Sequence, residues 1–216
     1  MEIEMKYGIG DKECAENIWD DEDLLRIADI ESRETILMKA AYFDTDDYVL
    51  SKHDIAFRVR MEGNRVVASL KWNGSCEEGL HSREEINVPI NDEACLIMPS
   101  PEVFKESEQG RAVLELLGDK QLHSLIETCF LRKRMRIDSG NAICEVAIDE
   151  GEIVTDFGTV PICELEIELF SGEEEEVSVI GERLAQKYNL VAENRSKYAR
   201  GLDLLKTGMA KINDKK

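Results

Sequence analysis

The stretch Met1-Glu2-Ile3-Glu4-Met5-Lys6-Tyr7 opens the chain and sets the pattern on which the fold depends. Side chains alternate between the two faces of a β-strand, so this stretch predicts a strand with one charged face and one apolar face. The charged face carries Glu2, Glu4 and Lys6, and the apolar face carries Ile3, Met5 and Tyr7. Two carboxylates and an ammonium on one face need an explanation, because later strands repeat the arrangement.

The composition is that of a folded and strongly acidic protein. The chain has 216 residues, of which 43% are hydrophobic and 34% charged, and its net charge is −19. This length suits one domain, which we place at residues 1–216 with a polar tail from about residue 207. The negative charge argues against general binding to nucleic acid or anionic membranes, although it allows a local basic pocket.

Targeting signals and cysteine usage predict a cytoplasmic protein and leave its oligomeric state open. No apolar run approaches the length that spans a bilayer, and the N-terminus lacks the basic and apolar regions of a signal peptide. The six cysteines are scattered without a CxxC pair. We interpret them as reduced thiols that fill the core, in preference to metal ligands.

Seven later segments also have the period of a strand, and most of them place charged side chains on one face. They are residues 35–45, 55–61, 65–72, 81–90, 128–137, 144–149 (ended by Gly151) and 163–170. Pro89 indicates that its strand lies near an edge or its own end. The remaining segments predict helices. The first follows a cap at Asp11 and shows helical spacing of Leu24, Ile27 and Ala28. Others are predicted within residues 91–122, after the acidic run 173–176, where the macrodipole favours negative charge, and from residue 194.

Two folds fit this pattern. If the charged faces met solvent, the chain would form a plain α+β sheet. If the sheet closed, about eight antiparallel strands would form a barrel around a lumen of small-ligand size, with helices packed outside. We favour the closed α+β barrel, because faces rich in Arg and Glu and poor in Ser, Thr and Lys match phosphate and a hard cation.

In such a barrel, the lumen would have a basic wall and an acidic wall. The basic wall would contain Lys6, Arg58, Arg60, Lys71, Arg83, Arg132 and Arg134. The acidic wall would contain Glu2, Glu4, Glu85, Glu145, Asp149, Glu164, Glu166 and Glu168. A ligand that satisfies both walls is a polyanion that carries divalent metal. No Walker motif is present. His81 and Glu164 remain open as ligand contacts, and we interpret Asp44 as a turn cap in preference to a metal ligand.

These residues resemble the signature of the CYTH superfamily, the triphosphate tunnel metalloenzymes. The opening Glu2-Ile-Glu4-Met-Lys6 is similar to its ExExK motif, and further blocks follow in family order. These are Tyr42-Phe-Asp-Thr45, Phe57-Arg58-Val-Arg60, Leu70-Lys71, Gly79-Leu-His-Ser-Arg83-Glu-Glu85, Phe130-Leu-Arg132-Lys-Arg134, Glu145-Val-Ala-Ile-Asp149, Glu164-Leu-Glu166-Ile-Glu168 and Ser196-Lys197. The similarity is greatest to bacterial inorganic triphosphatases of this family.

The resemblance implies an eight-stranded tunnel in which Mg²⁺ or Mn²⁺ supports hydrolysis of tripolyphosphate to pyrophosphate and phosphate. The implied metal ligands are Glu2, Glu4, Glu166 and Glu168. The implied substrate-binding residues are Lys6, Arg58, Arg60, Lys71, Arg132, Arg134 and Lys197, to which the charge pattern adds Arg83. Catalytic roles fall to Lys6, Glu85, Glu145 and Asp149. The alternatives are a class IV adenylate cyclase, a thiamine triphosphatase, or a non-catalytic module that binds polyphosphate.

Overall fold

The structure, a computed structural model, describes residues 1–90 and 92–213. Within these residues the strands are β1 (Glu2–Gly8), β2 (Ala28–Asp44), β3 (Ala56–Glu62), β4 (Arg65–Glu77), β5 (Leu80–Ile90), β6 (His123–Asp138), β7 (Ala142–Thr155), β8 (Gly158–Gly172) and β9 (Val191–Ala192). The α-helices are α1 (Lys12–Trp19), α2 (Glu22–Ile27), α3 (Val49–Lys52), α4 (Glu108–Leu117), α5 (Glu175–Tyr188) and α6 (Lys197–Asn213). Two short 3₁₀-helices, Glu93–Leu96 and Pro101–Phe104, lie between β5 and α4.

Eight of these strands form a closed antiparallel barrel. Hydrogen-bonded neighbours follow the order β5-β4-β3-β2-β6-β7-β8-β1. Strand β1 closes the ring because it pairs with β8 on one side and with β5 on the other, where Glu2 lies opposite Arg83 and Met5 opposite Leu80. The two-residue β9 adds a short pairing at the end of β1. The predicted α+β barrel is therefore confirmed, and the open sheet is excluded.

Two of the three hydrophobic clusters lie outside the barrel, between the strands and the helices. One cluster joins Met5 of β1 to residues of α1, α2 and α5. A second joins Phe57 of β3 to Phe104 of a 3₁₀-helix. The third lies on the inner side of the barrel, where Ile126 and the cavity-lining Phe130 belong to one cluster with Leu205 of α6. Burying one such side chain contributes about 1.5–3 kcal/mol. Because the apolar faces in the first two clusters point outward, the alternate charged side chains of those strands turn toward the lumen.

Three strands begin at least five residues earlier than the alternation predicted: β2, β6 and β8, the last of which begins at Gly158 and not at residue 163. Strand β2 begins at Ala28, which was expected in a helix, because a register shift between Asp29 and Glu34 interrupts the period of two. Strand β6 begins at His123 and not at Thr128, and a second shift in the β2–β6 register falls near that end. Irregular pairing hides a strand from a search for strict alternation.

Gly151 does not end β7, contrary to the prediction, since this strand continues to Thr155. Gly151 lies opposite Phe130 of β6. A Cβ atom added there would stand 2.5 Å from the Cβ of Phe130 and 2.2 Å from the carbonyl oxygen of Cys129. This glycine therefore marks a close approach between neighbouring strands, which is a common role for glycine within a sheet.

The helix signals are confirmed at most positions. Asp11 caps α1 by accepting a hydrogen bond from the backbone N–H of Cys14 at 2.8 Å. The stretch that follows is two helices, because Asp21 caps α2. The acidic run 173–176 precedes and enters α5, where the macrodipole favours it. All six cysteines are free thiols. Only Cys144 is fully buried, so the interpretation as core filler is wrong for the exposed Cys76 and Cys129.

Helix α6 extends beyond Thr207, where the polar composition predicted a frayed tail. It continues to Asn213, and its Gly208 lies close against the ring of Phe157. Residue 91, in the predicted helical segment, and residues 214–216, in the predicted tail, lie outside the described residues. None of the helices in the described ranges is both long enough and apolar enough to cross a membrane.

Candidate active site

The barrel encloses a cavity of about 460 Å³ whose wall receives side chains from all eight barrel strands and from α6. Its volume and its convergent polar groups suit a small ligand. Fourteen of the fifteen predicted site residues lie on this wall: Glu2, Glu4, Lys6, Arg58, Arg60, Lys71, Arg83, Glu85, Arg132, Arg134, Glu145, Glu166, Glu168 and Lys197. The fifteenth, Asp149, does not.

The two ends of the cavity differ in exposure. At one end the wall is lined by Ser196, which precedes α6, and by Lys197 and Tyr198 at the start of α6; Lys197 is buried. At the other end, Phe170 is 70% exposed and the side chain of Glu145 is 33% exposed. Helix α6 therefore covers one end, and the end near Phe170 is the more accessible to solvent.

The basic wall carries guanidinium groups with unused donors. The Nε atoms of Arg58, Arg60 and Arg83 are buried and donate to no atom within the described part of the chain. Burial, and then repulsion by Arg58, lower the pKa of Arg60, which also forms an ion pair with Glu62. A buried donor without an acceptor costs about 1–3 kcal/mol, so this wall is suited to an incoming anion.

Lys71 links two carboxylates of the acidic wall. Its Nζ lies 2.6 Å from each oxygen of Glu2 and 2.9 Å from Glu85. Burial favours the protonated acids, but the charge and hydrogen bond of Lys71, together with the charge of Arg58, outweigh it and lower the pKa of both Glu2 and Glu85. Both side chains are therefore carboxylates at neutral pH.

Glu168 lacks such a cation. Within residues 1–90 and 92–213, no lysine or arginine forms an ion pair with it. Burial, and then the charges of Glu2 and Glu4, raise the pKa of Glu168 to about 8. Glu4 lies directly opposite Glu168 in the β1–β8 pairing. Carboxylates that gather with too little positive charge are suitable ligands for a hard divalent cation such as Mg²⁺ or Mn²⁺, so these residues fit the predicted metal.

At the end that α6 covers, four cations and four carboxylates form a buried network. Its members are Lys6, Arg132, Lys197 and Arg200, with Glu4, Asp149, Glu164 and Glu166. Glu166 lies at its centre, 3.0 Å from the Nζ of Lys6 and 2.9 Å from that of Lys197, and it also pairs with Arg132. Burial alone would raise the pKa of Glu166, but these three cations hold it well below its usual value.

Asp149 lies on the same face of β7 as Glu145 but does not line the cavity. It is 0% exposed, and its oxygens accept hydrogen bonds from Nε and a terminal nitrogen of Arg132, each at 2.7 Å, and from Lys197 at 2.7 Å. The carboxylates of Asp149, Glu164 and Glu166 are close enough together to hold a metal ion. Lys197 and Arg132 already neutralise these three carboxylates. Their role is therefore to hold the two cationic side chains in position.

Two tyrosines on the cavity wall were missed by the sequence analysis. Tyr42 of β2 and Tyr198 of α6 stack with ring centroids 5.1 Å apart. Burial opposes ionisation of Tyr42, but the charges of Arg58 and then Lys197 lower its pKa. The alternation along β2 places Tyr42 on the same face as Ala40, and this uncharged face gave no signal of a site.

Two other polar residues have structural roles. His81 is not on the lumen wall; it is buried, and its Nε2 lies 2.8 Å from the carbonyl oxygen of Glu193. Burial, and then the charge of Lys6, lower its pKa. The carboxylate of Asp44 accepts three backbone N–H bonds at 2.8–2.9 Å, which confirms its interpretation as a turn cap.

An antiparallel tunnel with a lumen of opposed acidic and basic side chains defines the structural class. A family model for the CYTH domain matches residues 1–202, so the chain belongs to the CYTH domain family. An inorganic triphosphatase of Haemophilus influenzae is 29% identical over 168 residues. That alignment covers 78% of this chain and 46% of the relative, so the chain spans about half the length of the curated relative it matches.

Solved structures share the fold. A candidate adenylyl cyclase from Hippeastrum, described as having a dominant triphosphatase activity, superimposes with a TM-score of 0.66 at 23% identity, covering 94% of this chain and 96% of that one. A candidate adenylate cyclase from Bacillus halodurans gives a TM-score of 0.55 at 20% identity, covering 91% and 94% of the two chains. At these identities, the likeness shows the fold alone.

Proposed function

We propose that this chain is a metal-dependent triphosphatase that cleaves inorganic tripolyphosphate to pyrophosphate and phosphate inside the barrel. The observation that carries the proposal is that, within the part of the chain that the structure describes, one cavity contains both hydrogen-bond donors without acceptors and a carboxyl group without an ion-pair partner. Among the described residues, the buried Nε atoms of Arg58, Arg60 and Arg83 have no acceptor, and the carboxyl group of Glu168 forms no ion pair. A triphosphate with its bound metal supplies both partners. The similarity to an inorganic triphosphatase supports the same substrate.

Each wall has its own task in this proposal. The residues that would hold the metal are Glu2, Glu4, Glu166 and Glu168. Mg²⁺ or Mn²⁺ bound there would neutralise phosphoryl oxygens and polarise the phosphorus. The residues that would bind the phosphate chain are Lys6, Arg58, Arg60, Lys71, Arg83, Arg132, Arg134 and Lys197. Their donors match the phosphoryl oxygens and stabilise the charge that develops on the leaving group.

Hydrolysis requires a water oxygen to bond to phosphorus while the bond to the leaving pyrophosphate breaks. We assign the proton of that water to Glu145. Its ion pairs with the described residues are long, 3.4 Å to Arg134 and 3.9 Å to Arg132, and it is partly open to solvent. Glu85 is tied to a lysine at 2.9 Å, and Asp149 is enclosed. A general base must reach the water it activates, which favours Glu145.

The test is release of phosphate from tripolyphosphate, ATP and thiamine triphosphate, measured side by side with Mg²⁺, with Mn²⁺ and with EDTA. We expect tripolyphosphate to be the best substrate and turnover to vanish in EDTA. Conversion of ATP to cyclic AMP at a higher rate would contradict the proposal. Tight binding of tripolyphosphate without turnover would identify a non-catalytic binding module instead.

A matched pair of variants tests the assignment of the lumen wall. Glu4→Gln removes a predicted metal ligand and should abolish metal-dependent turnover. Glu174→Gln makes the same chemical change at an exposed position before α5 and should leave turnover unchanged. Equal effects of the two substitutions would show that the assignment of the metal site is wrong.

One observation favours a nucleoside triphosphate as the second candidate substrate. A side cavity of about 260 Å³ shares Lys71, Arg83 and Tyr198 with the lumen wall and is also lined by Trp72. An aromatic side chain beside the phosphate site could stack on a base. If ATP binds in this way, Trp72→Ala will raise the KM for ATP and leave the KM for tripolyphosphate unchanged.

A further inference from the structure

Glu164 and Arg200 lie outside the lumen wall, yet both belong to the buried network at the covered end. Glu164 is 1% exposed and divides its two oxygens between residues of α6: Oε1 pairs with Lys197, and Oε2 accepts a bond from Arg200 at 2.6 Å. Lys197 and Arg200 are three residues apart, so they lie on the same face of the helix. One carboxylate on β8 therefore holds the first turn of α6 at two points.

The sequence of this first turn is unfavourable for an isolated helix. It contains two cations and no acidic residue, although the positive end of the helix macrodipole favours carboxylates. The barrel supplies the missing negative charge through Glu164, Glu166 and Asp149, which surround Lys197. Three buried carboxylates around one ammonium would leave excess negative charge, and Arg200 and Arg132 balance it. The direction of the Lys197 side chain thus depends partly on Glu164, Asp149 and Arg200, which do not line the cavity.

We propose that Glu164 and Arg200 are positioning residues that hold Lys197 at the covered end of the lumen, where it contacts the phosphate chain. This inference rests on the proposed function, which assigns a triphosphate to the lumen. Arg200 does not touch the substrate. It fixes Glu164, which in turn fixes the Nζ of Lys197 and the first turn of α6.

The experiment is a double-mutant cycle between Arg200→Met and Lys197→Met. Binding of tripolyphosphate without metal is measured by calorimetry, and kcat and KM are measured with Mg²⁺. If Arg200 acts through Lys197, Arg200→Met should lower affinity and kcat/KM by about tenfold to a hundredfold, the cost of misplacing a positioned group. In the Lys197→Met background, the same substitution should have no further effect, because the two residues act as one unit.

Three further variants guard against misfolding and nonspecific effects. The paired change Glu164→Gln with Arg200→Met removes both partners of one ion pair, so neither charge is left unpaired, and its effect should depend on Lys197 in the same way. Arg200→Lys keeps the positive charge and should restore part of the lost affinity. Arg195→Met removes an exposed arginine that also pairs with α6, at Asp203, and should change neither affinity nor kcat/KM.

The outcomes separate the two proposals. Losses that add independently in the Lys197→Met background, or no loss on Arg200→Met, would overturn the positioning role while leaving the triphosphatase proposal intact. A wild-type protein that neither binds nor cleaves tripolyphosphate would overturn the proposed function, and the positioning role with it.

Discussion

Replacing Glu168 by Gln should make the metal-free protein more stable at alkaline pH and should also remove its metal-dependent turnover. The pKa of Glu168 is about 8 in the folded protein, against a usual value of 4.5. Its folded-state pKa is raised, so the native state holds the proton more tightly than the unfolded chain does. The stability linked to this proton is fully present below pH 4.5 and is lost as pH rises to about 8.

The size of the effect follows from this difference. A tenfold change in proton affinity is worth about 1.4 kcal/mol. Relative to a protein with a neutral side chain at this position, the free energy of unfolding of the wild type is therefore lower by about 1 kcal/mol at pH 5 and by about 5 kcal/mol at pH 9. Glu168→Gln is such a protein, because the amide is nearly isosteric with the protonated acid. Its advantage in free energy of unfolding should therefore grow by about 4 kcal/mol between these two pH values.

The assay is urea denaturation in EDTA at pH 5 and at pH 9, for the wild type, Glu168→Gln and the exposed control Glu174→Gln. Added Mg²⁺ should then stabilise the wild type at pH 9 and have little effect on Glu168→Gln, because ligand binding to the native state shifts unfolding. A Glu168→Gln protein whose stability relative to the wild type is the same at both pH values would refute the reasoning. So would a variant that keeps full metal-dependent activity.

Three other substitutions test the lumen wall, the turn that Asp44 caps and the packing between β6 and β7. Lys71→Met should lower kcat/KM for tripolyphosphate by about a hundredfold through loss of charge stabilisation; the exposed Lys39→Met serves as its control, and similar losses in both would contradict the assignment. Asp44→Ala leaves buried donors unsatisfied and should cost about 3 kcal/mol in urea denaturation, while the folded fraction stays active. Gly151→Ala should cost about 2–3 kcal/mol because its Cβ meets Phe130; an unchanged urea midpoint would disprove that packing.

The sequence by itself determined which face of each strand carries charge. A period of two is a local property, so Glu2, Glu4 and Lys6 could be assigned to one face from seven residues, and the same argument placed Arg58 and Arg60 together. Closure of the barrel followed from the amount and type of charge on these faces. It did not require any knowledge of which strands are neighbours.

Only the tertiary structure decided which charges neutralise each other. Alternation assigns a face to Asp149 but not its depth along the barrel, and α6 covers the end where Asp149 lies, so its partners are Arg132 and Lys197. Along β8, the same period gives Glu166 three cations and leaves Glu168 with none among the described residues. The physical reason is that electrostatic pairing depends on distances between side chains far apart in sequence, which strand register and helix docking fix only in the folded protein.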